Sequence, residues 1–135
     1  MNRDGAPCRC GRPATLMECC LPYVEGKLQA PDPESLMRSR YTAFALGTLA
    51  ATEYLYATHH PDFREPQLRE GLRSSIADVD AWTRLEVLAS SVDGDRGAVE
   101  FIATFRLGGE EKKLHEHSAF VREGGRWYYT KGVIR

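Results

Sequence analysis

At 135 residues, with 42% apolar and 27% charged side chains, the chain has the composition of one ordinary folded domain rather than of a disordered or disulfide-stapled one. A net charge of −1 offers no general attraction to nucleic acid or anionic lipid, and no apolar run approaches the ~20 residues that cross a bilayer, so neither sequence-specific nucleic acid nor membrane is an expected partner. The opening MNRDGAPCRC carries no hydrophobic stretch of the secretory type, and the expected compartment is the cytoplasm, where thiols stay reduced.

All four cysteines fall within residues 8 to 20, spaced Cys8-x-Cys10, eight residues, Cys19-Cys20. Two disulfides would suit a secreted mini-protein, and a bond between the adjacent Cys19 and Cys20 would be strained. A redox pair usually takes the form C-x-x-C at a helix start, which is absent. Four thiolates closing on one structural Zn²⁺, at ~2.3 Å per Zn–S bond, fit the spacing best and leave no open position for a catalytic water; four buried thiols without a metal are the alternative. Gly11 suits a turn with positive φ and could aim its N–H at a thiolate, while Arg9 and Arg12 can offset the net −2 of the filled site.

A connector with Pro31 and Pro33 follows. Asp32 reads as an N-cap with Pro33 at the first helical position and Glu34 in the first turn; Leu36, Met37, Tyr41 and Phe44 recur at helical spacing, and Gly47 ends the helix. Thr48 can cap a second helix to about Thr58, with Leu49, Leu55 and Tyr56 supplying apolar surface and Pro61 stopping it. Residues 67 to 76 suggest a third helix on Leu68, Leu72 and Ile76. Then the period changes to two: 83–92 (Leu85, Val87 and Ala89 on one face), 97–107, 113–122 and 126–134 read as strands, with turns at Gly108-Gly109 and Gly124-Gly125. Helices followed by a four-stranded antiparallel meander is an α+β order.

The cysteine spacing resembles the SEC-C zinc knuckle, although the loop GRPATLME has Leu16 where an aromatic residue is usual and Arg12 as its single cation. With PYVEG (22–26), APDPESLMRSRYTAF (30–44), YLYATHHP (54–61) and SAFVREGGRWYYTKG (118–132), nearly the whole chain resembles the YchJ family of small bacterial proteins. The resemblance implies a SEC-C-like zinc knuckle over residues 1–27 and, over 28–135, a cone of the nuclear-transport-factor-two-like kind, three helices packed on a curved antiparallel sheet.

Such a cone leaves a pocket between sheet and helices, the default place for a ligand. On the strand 113–122, Leu114, Glu116, Ser118 and Phe120 share the face expected to turn inward, with His115 and His117 on the other. Pocket candidates are Tyr41, His60, Trp82, Phe101, Glu116, Ser118 and Trp127. Glu116 has two expected roles. As a carboxylate in an aromatic cavity it could act as an acid or base; as the partner of Arg40 in a structural ion pair it would tie sheet to helix, which is the simpler expectation. No phosphate loop, Ser-His-Asp order or dinucleotide fingerprint is present. The function expected is a zinc-containing module that binds a small ligand or a protein partner, with a homodimer left open; the alternative is an enzyme of dehydratase or isomerase type in which Glu116 works with Ser118, Tyr41 or His60.

Overall fold

The computed structural model describes residues 5–135; the first four residues of the expected knuckle lie outside that range. The chain opens on a small loop pinned by an antiparallel bridge between Pro7 and Thr15, with Cys8 N–H donating to Ala14 O at 2.9 Å and Leu16 N–H to Ala6 O at 2.9 Å. Thr15 Oγ1 and Glu18 hydrogen-bond at 2.8 Å across the turn before Cys19. A single helical turn, α1 (Leu21–Val24), closes the knuckle.

Helix α2 (Pro33–Leu46) begins and ends as its caps dictate. Asp32 accepts from Ser35 N–H at 2.7 Å, Pro33 needs no donor partner in the first turn, and Gly47 takes the left-handed conformation (φ 64°) while donating to Ala43 O. Thr48 caps α3 (Leu49–Ala57) by accepting from Ala51 N–H at 3.1 Å. Leu49, expected to supply apolar surface with Leu55 and Tyr56, is 72% exposed at the first position of α3. A 3-10 turn (Pro61–Phe63) leads to α4 (Leu68–Asp78), where Leu72 is the buried residue of the Leu68, Leu72, Ile76 row.

Strands β1 (Ala81–Asp93), β2 (Arg96–Leu107), β3 (Glu110–Glu123) and β4 (Arg126–Ile134) form an antiparallel meander in the order β1-β2-β3-β4. Every hairpin loop has two residues. The Gly108-Gly109 and Gly124-Gly125 pairs both hold positive φ, the geometry whose twist matches the flanking strands. Bulges interrupt the register between Trp82 and Arg84, between Val87 and Ala89, and opposite Ala119/Phe120, bending the sheet over the helices. The second of these moves Ala89 off the Leu85/Val87 face into an exposed position, contrary to simple alternation.

Knuckle and cone share one continuous core: Cys8, Cys10, Leu16, Cys20 and Val24 pack in the same buried cluster as Leu36, Leu55, Val99, Phe120 and Trp127. A division at residues 27/28 thus falls in the exposed connector and not at a break in packing. The helical layer meets the sheet closely where Pro33 lies over Gly97, at which a Cβ would overlap the proline ring. Gly97→Ala should lower stability by about 1–3 kcal/mol. Gly71→Ala, in α4 with nothing within 4 Å of the added methyl, should raise it by about 0.5–1 kcal/mol. Urea titration of the two variants reads both signs.

Candidate metal centre and cone cavity

The four cysteine sulfurs converge, all lying within 4.8 Å of one another. Cys10 Sγ is 3.6 Å from Cys19 Sγ, and Cys19 Sγ is 3.9 Å from Cys20 Sγ. These separations bracket the ~3.8 Å edge of a tetrahedron with ~2.3 Å metal–sulfur bonds and are far from the ~2.0 Å of a disulfide. The protonation chemistry also fits a cation. Hydrogen bonds from Cys10 and Cys20 pull the Cys8 thiol down; those among Cys20, Cys10 and Cys8, with burial, push Cys20 up; burial and the Cys10 charge push Cys19 up to about 12. Four thiolates this close repel one another, and a bound cation lets them coexist. The residues present therefore form a metal-binding site.

Helix α2 supplies the floor of this site. Arg38 Nη1 donates to Cys10 O at 2.6 Å while its Nε holds Glu34, and Thr42 Oγ1 sits 3.8 Å from Cys8 Sγ. Arg12, expected to offset the thiolates, donates instead to Ser35 Oγ at 3.1 Å and lies 3.6 Å from Glu34. Gly11 takes the expected positive φ (91°), but its N–H donates to Cys8 O rather than to sulfur. Leu16 is buried, an aliphatic plug in place of the aromatic residue usual in this loop.

The other side of α2 faces a cavity of about 350 Å³. Met37, Arg40, Tyr41 and Phe44 form one wall; Leu68, Leu72 and Ser75 of α4 form a second. The sheet contributes Trp82, Phe101, Ala103, Leu114, Glu116, Ser118, Phe120 and Tyr129, and His59 completes the lining. Tyr41, Trp82, Phe101, Glu116 and Ser118 are thus brought together as the sequence suggests; His60 and Trp127 are not. His60 is buried against Phe63 and Tyr128, with Nε2 on Glu123 at 2.5 Å and Nδ1 accepting from Asp62 N–H. Its neighbour reaches the cavity because a parallel bridge sets His59 beside Tyr129. Trp127 fills the far end of the inner face, lining a cavity of about 170 Å³ with Tyr23, Leu36 and Tyr54.

The expected Arg40–Glu116 ion pair does not form. Buried Arg40 directs Nη1 to Leu55 O at 2.8 Å and Thr58 Oγ1 at 2.7 Å, and its guanidinium lies 4.6 Å over the Tyr129 ring. The last turn of α3 offers carbonyls without intrahelical donors, and Arg40 answers one of them at Leu55 O. Burial pulls Arg40 down to about 10, which leaves it cationic at neutral pH. Glu116 is held from its own strand, accepting from Ser118 Oγ at 2.6 Å, and lies flat over Gly132, where a Cβ would overlap it. Burial raises Tyr41 and Tyr129 to about 12, so both keep their hydroxyl protons. His59 donates from Nε2 to Phe63 O at 3.0 Å, and burial followed by the Arg40 charge lowers it to about 4. Trp82 packs among Tyr41, Phe44 and Phe105, and its indole N–H is the buried side-chain group without a hydrogen-bond partner among the described residues.

A curved meander closed over helices around an apolar cavity, with a cysteine knuckle docked on the first long helix, defines a nuclear-transport-factor-two-like cone carrying a SEC-C knuckle. The chain belongs to the YchJ family: residues 32–132 match the family described as "YchJ, middle NTF2-like domain". Over 133 residues it is 47% identical to a UPF0225 protein of Bordetella parapertussis, covering 96% of this chain and 94% of the relative. Over 132 residues it is 44% identical to one from Methylibium petroleiphilum, covering 95% and 88%. Among solved structures, a SEC-C motif containing protein from Rhodopseudomonas palustris superposes with a TM-score of 0.83 at 40% identity, covering 93% of this chain and 96% of that one. Another from Psychrobacter arcticus superposes with 0.81 at 26% identity, covering 100% and 86%.

Two outcomes follow from this geometry. Replacing Cys8 and Cys10 by Ser should abolish metal binding and, because the cage shares α2 with the cone, lower the melting temperature of the whole chain by more than about 5 °C. Metal analysis and a thermal melt read the two effects. His59 is depressed in the folded state, so between pH 6.5 and about 4 the unfolded chain binds a proton that the folded chain refuses, and stability falls as the pH falls. The loss should be on the order of 1 kcal/mol after screening by the water that reaches this partly exposed ring. The urea midpoint of wild type should drop between pH 7 and pH 5 by more than that of His59→Asn.

Proposed function

We propose that this protein is a cytoplasmic small-ligand-binding module in which a structural zinc ion, held by Cys8, Cys10, Cys19 and Cys20, fixes the knuckle against the helix that walls the binding cavity. The observation that carries this reading is the cavity itself: about 350 Å³, mainly apolar and aromatic, with a few polar groups in fixed positions, as ligand sites are built. Zinc is favoured by an all-sulfur tetrahedral donor set with no position left for water, which also assigns the ion to structure rather than catalysis. The reduced thiols fit a cytoplasmic setting, and no helix among the described residues is long and apolar enough to cross a membrane. Tyr41, Trp82, Phe101, Glu116, Ser118, His59 and Tyr129 are the residues proposed to meet the ligand. Acid–base turnover draws less support, since His59 gives Nε2 to a backbone carbonyl and His60 turns away from the cavity. Native mass spectrometry of protein purified gently from its own host tests the reading. The expected result is one zinc per chain and a reproducible additional small-molecule mass. Zinc with a co-purifying protein and no small molecule would move the binding role to the protein surface.

A further inference from the structure

Arg40 is a buried cation that no carboxylate of the described residues meets within ion-pair distance. Nη1 commits both its hydrogens at the end of α3, to Leu55 O and Thr58 Oγ1, and the guanidinium is held 4.6 Å over the Tyr129 ring. A guanidinium has two edges that can grip a carboxylate with paired N–H bonds. This anchor leaves one of them, Nε with Nη2, without a protein partner among the described residues. That edge is open to the cavity. Arg40 lines it, and Trp82 Nε1 is the side-chain atom buried without a partner among the described residues, so the free nitrogens of Arg40 are not sealed away.

The other free groups of the lining are single points: the Trp82 indole N–H, the hydroxyls of Tyr41, Ser75 and Tyr129, Nδ1 of His59 and the second oxygen of Glu116. The Arg40 edge alone is charged and two-pronged, and it sets the head group. A cationic head would be repelled there, and a neutral amide offers one acceptor oxygen to two donors. A carboxylate matches both the spacing and the charge. Glu116 does not fill that place, being half-buried, bonded to Ser118 and outside ion-pair range of Arg40. Water screens part of its repulsion toward an anion, while little water reaches Arg40. At about 350 Å³ the space suits a compact body, to which Phe44, Trp82, Phe101 and Phe120 present ring faces and edges. Building on the small-ligand reading, we infer that the cavity takes a ring-bearing apolar carboxylate, seated with its two oxygens on Nε and Nη2 of Arg40.

The test uses the full zinc-loaded chain and three probes of one shape: 2-naphthoate, its neutral isostere 2-naphthamide, and naphthalene. Binding is followed through the indole N–H resonances, with Trp82 as the cavity reporter and Trp127, in the other cavity, as the control. The Arg40 Nε–H resonance reports the head group. 2-Naphthoate should bind at least about tenfold more tightly than 2-naphthamide or naphthalene, as paired charge-assisted hydrogen bonds allow, and should move Arg40 Nε–H downfield. Arg40→Lys, checked for an unchanged melt, keeps a cation without the fork and should cut the naphthoate advantage to about threefold. Naphthamide or naphthalene binding wild type as tightly as naphthoate, or naphthoate binding that leaves Arg40 Nε–H unmoved, would overturn the ligand class while leaving a binding cavity. No probe shifting Trp82 would overturn the small-ligand reading itself. The wild-type ranking and the Arg40 resonance decide these outcomes even if the variant is unstable.

Discussion

The hydrogen bond from Arg38 to the Cys10 carbonyl, at 2.6 Å, fixes where the knuckle sits, and much else in the molecule depends on that placement. A guanidinium braced by Glu34 one turn earlier is a stiff two-point anchor. It lands on the backbone carbonyl of the second cysteine of the cage. The cage therefore meets α2 along the row Ser35, Arg38, Thr42, which leaves Met37, Arg40, Tyr41 and Phe44 to face the opposite way. The helix is a partition with a sulfur cage on one side and an apolar cavity on the other. Its ends are set by Asp32 and Gly47, which makes the partition fourteen residues long.

Inside the cavity, the electrostatics follow from how buried charges find partners. Arg40 and Glu116 are opposite charges in one space, yet each is satisfied by its own neighbourhood: the frayed carbonyl end of α3 for the cation, a serine two residues along the strand for the anion. An arginine stacked on Tyr129 and bonded to two acceptors is well provided for, and moving it toward the carboxylate would orphan those acceptors. Gly132 contributes by absence, since any side chain there would displace Glu116.

What could be read from the sequence was whatever is decided within a few residues. The caps at Asp32, Thr48 and Gly47 and the double-glycine turns are local chemistry, and the structure has them where the residues imply. The cysteine cluster was legible for the same reason, because thirteen residues contain the whole ligand set. Legibility failed where one residue of phase mattered. A bulge near Val87 moves Ala89 to the surface, and a bridge to Tyr129 selects His59 over His60 for the cavity. Neither bulge nor bridge has a sequence signature of its own. The Arg40–Glu116 pair was a reasonable guess from opposite charges on facing elements, but which acceptor an arginine chooses depends on the end of a helix fifteen residues away.

The partition has a mechanical consequence. Because α2 touches the cage through Arg38 and Thr42, an occupant of the cavity that displaced the helix would also displace its contacts with Cys10 and Cys8. By the reciprocity of linked equilibria, such a coupling would be equal in size in both directions.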